Sequence, residues 1–289
     1  MRKRVDFRPC VQGESRRRDS LFIVHSPDGT RRAASIENSQ LFTETIMLEL
    51  RNPHSILAAL QVRPKAVKQI RLHSDNPGES WDPVIEAAQK HRIPVRVGAV
   101  DPRTAKSGRD TERVGAGSAT VEPPSPLPLE KLWHVAEGER GLWLALDQIQ
   151  DPQNLGALFR LAGFFGVKGI VLTKDRSASV NATVCDISAG GAEHVPFAVV
   201  ANLAQAMEKA QENQVWVLGT CERAESSIYT VSRDRNWMLV LGNEGTGLRR
   251  LTRDRCDQLV SLPPQGAVLS LNVATAAAAC LAVIMTPRG

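Results

Sequence analysis

Aromatic side chains are scarce in this 289-residue chain: they make up 4% of it, and there is a single tyrosine. That argues against a single-strand-binding surface built on stacked rings. Cysteine is also thin. The five (Cys10, Cys185, Cys221, Cys256 and Cys280) are dispersed and form no CxxC pair. An odd, scattered set argues against a disulfide framework and against zinc, and it suits a reducing compartment. No apolar stretch follows the charged start, as a secretory signal requires. Ala267–Met285 carries no charge and approaches membrane length, but Ser270, Asn272 and Thr275 interrupt it and many of its residues are small. A buried helix beginning near Asn272 is expected there, not a membrane span.

What is present suits a globular protein. Hydrophobic residues reach 42%, enough for real cores, and the length suggests two domains. The formal charge is +5, and residues 1–32 hold nine Lys or Arg against four acids, so the rest of the chain nets to zero. Such a basic arm suits an anionic partner, since arms of this kind bind phosphates without reading sequence; a solvated tail is the plainer alternative. The cytoplasm is the expected compartment. A mitochondrion is the alternative if residues 1–40 are a transit peptide, a reading that Asp6, Glu14 and Asp19 weaken.

Four segments follow from the patterning. Residues 1–45 read as a basic, disordered extension. Residues 46–122 read as a small α/β domain: His54–Gln61 and Pro83–His91 are helical, Val67–Leu72 and Ile93–Val97 are strands. Residues 123–140 begin with PPSPLP and read as a linker. Residues 141–289 alternate apolar strands (Leu142–Asp147, Gly169–Thr173, Val215–Gly219, Met238–Gly242 and Leu259–Leu262) with helical stretches. Continuous apolar strands of this kind imply a parallel sheet covered on both faces.

Three segments in that last region follow strands, where ligands bind open α/β sheets. In DQIQDPQNLGALFRLA (147–162), Asn154 and Arg160 are not needed to bury the helix, which Leu155, Leu158, Phe159 and Leu161 accomplish. A capping Asn and a surface Arg would be a sufficient structural account. In LVLGNEGTGL (239–248) three glycines permit close backbone approach to a ligand, although a glycine-rich turn needs no ligand. The spacing is GxxGxG, not the GxGxxG of dinucleotide folds, which weakens a nicotinamide reading. In LPPQGAVLSLNVAT (262–275) Pro263, Pro264 and Gly266 force an irregular loop before Ser270 and Asn272 open a small-residue helix. A capped core helix would look the same.

Taken together, in this order and spacing, the three segments resemble the three motifs of the SpoU (TrmH) family of RNA ribose 2'-O-methyltransferases, within the SPOUT superfamily. Asn154, Gly156 and Arg160 match the first motif. Gly242, Asn243, Glu244, Gly245 and Gly247 match the second, and Pro263, Gly266, Ser270, Leu271 and Asn272 the third. Any one match is weak; the ordered triple is strong. The stretch LTRDRCDQLVSLP (251–263) is similar to the subgroup that acts on large-subunit rRNA guanosine. The front unit resembles that subgroup's ribosomal-protein-like substrate-binding domain. Two places depart from the pattern: Val114–Val121, where a His-Gln-Gly-containing stretch is common, and Ala274–Thr275 in the third motif.

The resemblance implies a trefoil-knotted C-terminal domain, a homodimer, S-adenosylmethionine as cofactor, no metal and an RNA substrate. It gives Arg160, Asn154, Glu244, Ser270 and Asn272 to catalysis, with Arg160 as the catalytic arginine. It gives Gly242, Asn243, Gly245, Gly247, Leu262, Pro263, Gly266 and Leu271 to the cofactor. Backbone contacts to it would come from Gly242, Leu262 and Leu271, and a side chain at Gly245 or Gly247 is expected to clash with cofactor or knot. Two accounts of Arg160 stay open here: transient deprotonation through an RNA phosphate, or a cation stabilising the developing alkoxide. The expected reaction is methylation of a ribose 2'-hydroxyl, at a guanosine of 23S rRNA or alternatively in tRNA. A non-catalytic RNA-binding module would require decayed motifs, and these are intact.

Overall fold

The computed structural model describes residues 46–98, 116–243 and 245–286, together with the backbone of two short strands nearer the amino terminus. Those strands, β1 (Ile23–His25) and β2 (Arg31–Ala33), pair antiparallel within a unit of residues 1–44. The disorder expected for the rest of residues 1–45 lies outside the described residues.

Residues 45–289 form the second unit, which holds two sheets. The smaller has the order β3-β6-β4-β5, from Leu48–Leu50, Gly117–Val121, Val67–Leu72 and Val95–Val97. Strand β6 pairs antiparallel with both β3 and β4, while β4 and β5 are parallel. Within the segment that departs from the family pattern, residues 117–121 form a mostly buried central strand, and 114–115 lie outside the described residues. Helices α1 (Pro53–Val62) and α2 (Asp82–Lys90) cover this sheet.

The larger sheet is six-stranded and fully parallel, in the order β12-β10-β11-β7-β8-β9. Its strands are Gln258–Val260, Val215–Thr220, Asn236–Gly242, Leu142–Asp147, Gly169–Thr173 and Phe197–Val200. Every residue of β7 and β8 is buried, as the apolar runs LWLAL and GIVL demand, and each strand ends on a buried polar side chain, Asp147 or Thr173. Helices α3 (Pro152–Phe165), α4 (Ala182–Ser188), α5 (Gly191–His194) and α8 (Val273–Met285) lie on one side of the core, with Leu144, Leu146 and Ile170. Helix α6 (Leu203–Glu212) covers the other, with Trp143, Ala145 and Val240. A short α7 (Arg250–Asp254) precedes β12. Burying each large aliphatic side chain contributes about 1.5–3 kcal/mol. The expected buried helix is α8, with Asn272 as its amino-terminal cap. No described helix is long and apolar enough to cross a membrane.

The two sheets share one continuous apolar cluster, running from Leu50 and Ile56 to Leu144 and Leu155. Polar contacts cross the same boundary. Both carboxylate oxygens of Asp186 accept from the Arg51 amide at 3.0 Å, and one accepts from the Asn52 amide at 3.0 Å. Burial raises the Asp186 carboxyl above its ordinary value, against the lowering effect of those amides. Nearby, Arg63 grips Glu193 in a two-pronged pair at 2.5 and 2.8 Å, and the Glu193 side chain is only 2% exposed. A carboxylate so deeply buried needs such a partner.

Candidate active site

The sheet topology decides where a site can form. From β7 the chain moves outward to β8 and β9, then crosses to β10 on the other flank. The reversal leaves a switch point beside β7, where open parallel sheets bind ligands outside the strands' carboxyl ends. A cavity of about 690 Å³ lies to one side of it, over the ends of β10, β11 and β12.

Its floor is the glycine segment. Gly242 ends β11 and pairs with Asp147. A Cβ on Gly242 would lie 2.3 Å from the Gly247 carbonyl carbon, so no side chain fits without moving backbone. The loop then folds on Asn243, whose Oδ1 accepts from the Gly245 amide at 2.9 Å and the Thr246 amide at 3.3 Å. Gly247 donates back to the Asn243 carbonyl at 2.8 Å and adopts φ +66°, which favours glycine. The Asn243 Nδ2 reaches the Gln148 carbonyl at 3.0 Å, fastening the loop to the turn after β7. Asp147, almost fully buried, accepts from Thr252 Oγ1 at 2.7 Å and sits 2.7 Å from Arg249 Nε, which anchors the start of α7.

The opposite wall is the loop after β12. Leu262, Pro263, Ser270 and Leu271 line the cavity, as do Gly242, Asn243, Gly245 and Gly247. Gly266 is exposed and is not among the lining residues. At Gly245 the chain itself leaves room. A Cβ there would touch only Asn243 Oδ1 at 3.5 Å, an ordinary contact, so steric need within the chain falls on Gly242 instead. Glu244 lies outside the described residues.

Asn154, Arg160 and Asn272 stand outside the cavity lining. Asn272 joins two of them: its Oδ1 caps α8 by accepting from the Ala274 amide, and its Nδ2 donates to Asn154 Oδ1 at 2.9 Å. That bond ties the first motif to the third across 118 residues. Arg160 is exposed on α3, and among the described residues it has no hydrogen-bond or ion-pair partner. Phe164, one turn later, is 82% exposed.

The sequence reading missed one wall of the cavity, Thr220–Arg223 after β10. The available signal was positional: this segment also follows an apolar strand at the sheet's carboxyl edge. Cys280 lies on the α8 side, its thiol pushed up to about 11 by burial. Among the described residues, no group of three or more His, Cys, Asp or Glu side chains could hold a metal ion.

Comparison with known proteins agrees with this architecture. The SpoU rRNA Methylase family matches residues 141–282. Over 239 residues, 81% of this chain and 94% of the relative, the sequence is 40% identical to the 23S rRNA (guanosine-2'-O-)-methyltransferase RlmB of Pseudomonas aeruginosa. The chain belongs to the SpoU rRNA methylase family. A second relative of that name, from Xanthomonas campestris pv. campestris, is 50% identical over 148 residues, 51% of this chain and 59% of the relative. The fold of this SpoU methylase matches the SpoU methyltransferase AviRb from Streptomyces viridochromogenes, solved in complex with AdoMet. The TM-score is 0.69 at 21% identity, over 86% of this chain and 93% of that one. The AdoMet-bound rRNA methyltransferase from Sinorhizobium meliloti matches with TM-score 0.66 at 20% identity, over 83% and 87%.

Proposed function

We propose that this protein methylates the ribose 2'-hydroxyl of a guanosine in large-subunit (23S) rRNA, with S-adenosylmethionine as donor. The observation that carries the reading is the convergence of the glycine loop and the loop after β12 on one cavity. The names of the RlmB relatives support the substrate.

The cavity suits the cofactor. About 690 Å³ is ample for a nucleoside joined to an amino acid. Gly247 lines it with nothing within 4 Å of where a Cβ would stand, so backbone faces open space. Amides and carbonyls of Gly242, Leu262 and Leu271 would hold the ligand's polar edges. When bound, S-adenosylmethionine supplies a methyl group on a sulfonium sulfur. The protein's task is then to orient the ribose hydroxyl and stabilise its oxygen as the proton leaves. Arg160 performs this as a cation directed at the developing alkoxide. The Asn154–Asn272 bond holds the first turn of α3 against the cap of α8, and Ser270 and Glu244 position the ribose.

Arg160 lines no part of its own chain's cavity, which suits a homodimer in which Arg160 serves the partner's site. Exposed Phe164 beside it supplies an apolar contact for that interface. The terminal segment is read as threaded, forming the trefoil knot. Its support is that α8 leaves edge strand β12 yet packs on α3, which follows the central strand β7, and lies against Ile228–Thr230 of the β10–β11 connection.

The test is incubation of purified protein and labelled S-adenosylmethionine with protein-free large-subunit rRNA, small-subunit rRNA and bulk tRNA. Label is expected in large-subunit rRNA. Preferential labelling of tRNA or small-subunit rRNA would overturn the substrate, and no labelling of any RNA would overturn the activity.

A further inference from the structure

A second cavity, of about 300 Å³, opens at the same carboxyl edge of the sheet. Gln148, Thr173, Asp175, Arg176, Ala201 and Arg249 line it. They come from the turns after β7, β8 and β9 and from the entry to α7. The two cavities flank the Asp147–Gly242 strand pair and share a wall, because the Gln148 carbonyl of one accepts from Asn243 of the other.

This wall is built. Gln148 and Arg176 hold φ of +63° and +53°, two of the five non-glycine residues in that region among those described. Strained backbone of this kind persists where surrounding structure enforces it, and it clusters at functional sites. Thr173 Oγ1 accepts from the Gln148 amide at 3.1 Å and meets Ser177 Oγ at 2.5 Å, which fixes both turns. Arg249 is held by buried Asp147. In contrast, the side chains of Gln148, Asp175 and Arg176 have no hydrogen-bond or ion-pair partner among the described residues.

The chemistry of these groups selects a ligand class. A carboxylate lining one cavity with two guanidiniums makes a poor seat for a bare phosphate, which it would repel. It suits a base edge that both donates and accepts. Guanine presents N1–H and the N2 amine side by side, and O6 and N7 side by side. Arginine is the commonest partner of O6 and N7, and a carboxylate accepts paired N–H donors. Proteins also read unstacked RNA bases by stacking them on arginine planes where aromatic rings are absent.

The geometry points to the second cavity as the seat of the target guanine, with Asp175 accepting from N1–H and the N2 amine and Arg176 donating to O6 and N7. Arg249, clamped by Asp147, offers its plane to the ring, and the shared Asn243–Gln148 wall sets the ribose toward the first cavity. This inference rests on the guanosine methylase reading.

The experiment compares wild type, Asp175→Asn and Arg176→Ala on protein-free large-subunit rRNA with labelled S-adenosylmethionine. Products are digested to nucleosides, and cofactor binding is measured separately by equilibrium dialysis. Wild type should label 2'-O-methylguanosine alone. Both variants should keep cofactor affinity and melting temperature while kcat/KM for rRNA falls roughly tenfold or more, the scale of one edge-reading pair. Transcripts carrying inosine, which lacks the N2 amine, should be discriminated against by wild type and far less by Asp175→Asn. Wild-type kinetics and unchanged inosine discrimination in the variants would overturn the guanine seat, as would wild-type label in a nucleoside other than guanosine. If wild type labels no rRNA, the proposed function itself fails, a separable result.

Discussion

Arg160 and Phe164 share the exposed side of α3, one turn apart, and neither helps bury the helix. Arg160→Ala should therefore leave folding intact and lower methyl transfer by on the order of 10²-fold or more, the usual scale for a charge-stabilising group. Cofactor affinity, read by calorimetry, should barely move; near-normal turnover would refute the assignment. The glycine loop allows a sharper comparison. Gly242→Ala places a Cβ 2.3 Å from backbone and should destabilise the fold by about 1–3 kcal/mol, whereas Gly245→Ala meets only an ordinary contact and should keep the wild-type melting temperature. Cysteine reactivity is set by burial. It pushes Cys185 and Cys256 up to about 12 and Cys280 to about 11, with nearby acids adding to the first two. Cys185, Cys256 and Cys280 should resist a thiol reagent near pH 8 in native protein and react only in denaturant.

Helix α8 and the junction between the two sheets depend on a few caps and pairs. Asn272→Ala removes both the α8 cap and the bond to Asn154, and should cost about 1 kcal/mol for the cap alone. Methyl transfer should fall further than that loss of stability explains, because the first and third motifs come apart. Asp186 makes the junction pH-dependent. Its folded-state pKa lies above the ordinary 3.8, so the native state holds the proton more tightly than the unfolded chain. Its contribution to stability is thus greatest at low pH and falls as pH rises from about 3.8 through the raised value. Denaturant titrations across that window should show a shallower decline in Asp186→Asn than in wild type. An identical slope would assign the pH dependence to other groups.

For the whole chain, charge and assembly are separable. The net charge of the sequence lies in residues 1–32, so a protein lacking residues 1–45 should bind RNA less tightly and with a flatter dependence on salt. Site choice should persist, since the candidate site lies wholly in later residues. An unchanged salt slope would leave the arm without a role in binding. Phe164→Glu places a charge on the face assigned to the dimer. Sedimentation should then show monomers, and mixing this variant with Arg160→Ala protein should not restore activity if the partner must supply Arg160.

Much of the architecture was legible because it depends on local pattern. LWLALD and GIVLT, apolar except for their last residues, are strands buried on both faces at the residues expected. Asn272 before a run of small residues is the cap of the last helix. The three motifs led to the family, and the glycine loop and the loop after β12 do converge on one cavity. Tertiary structure decided the rest, since strand order and side-chain meeting are non-local. The strand before Thr220–Arg223 was legible, but that this segment closes the cavity follows from β10 lying between β11 and β12. The divergent stretch ending at Val121 became a buried strand only by pairing with β3 and β4. Steric demand fell on Gly242 and not Gly245 because the loop folds back on Asn243. The base-sized cavity beside β8 exists because three separate turns meet at one sheet edge, and residues brought together from positions 148 to 249 leave no trace in spacing along the chain.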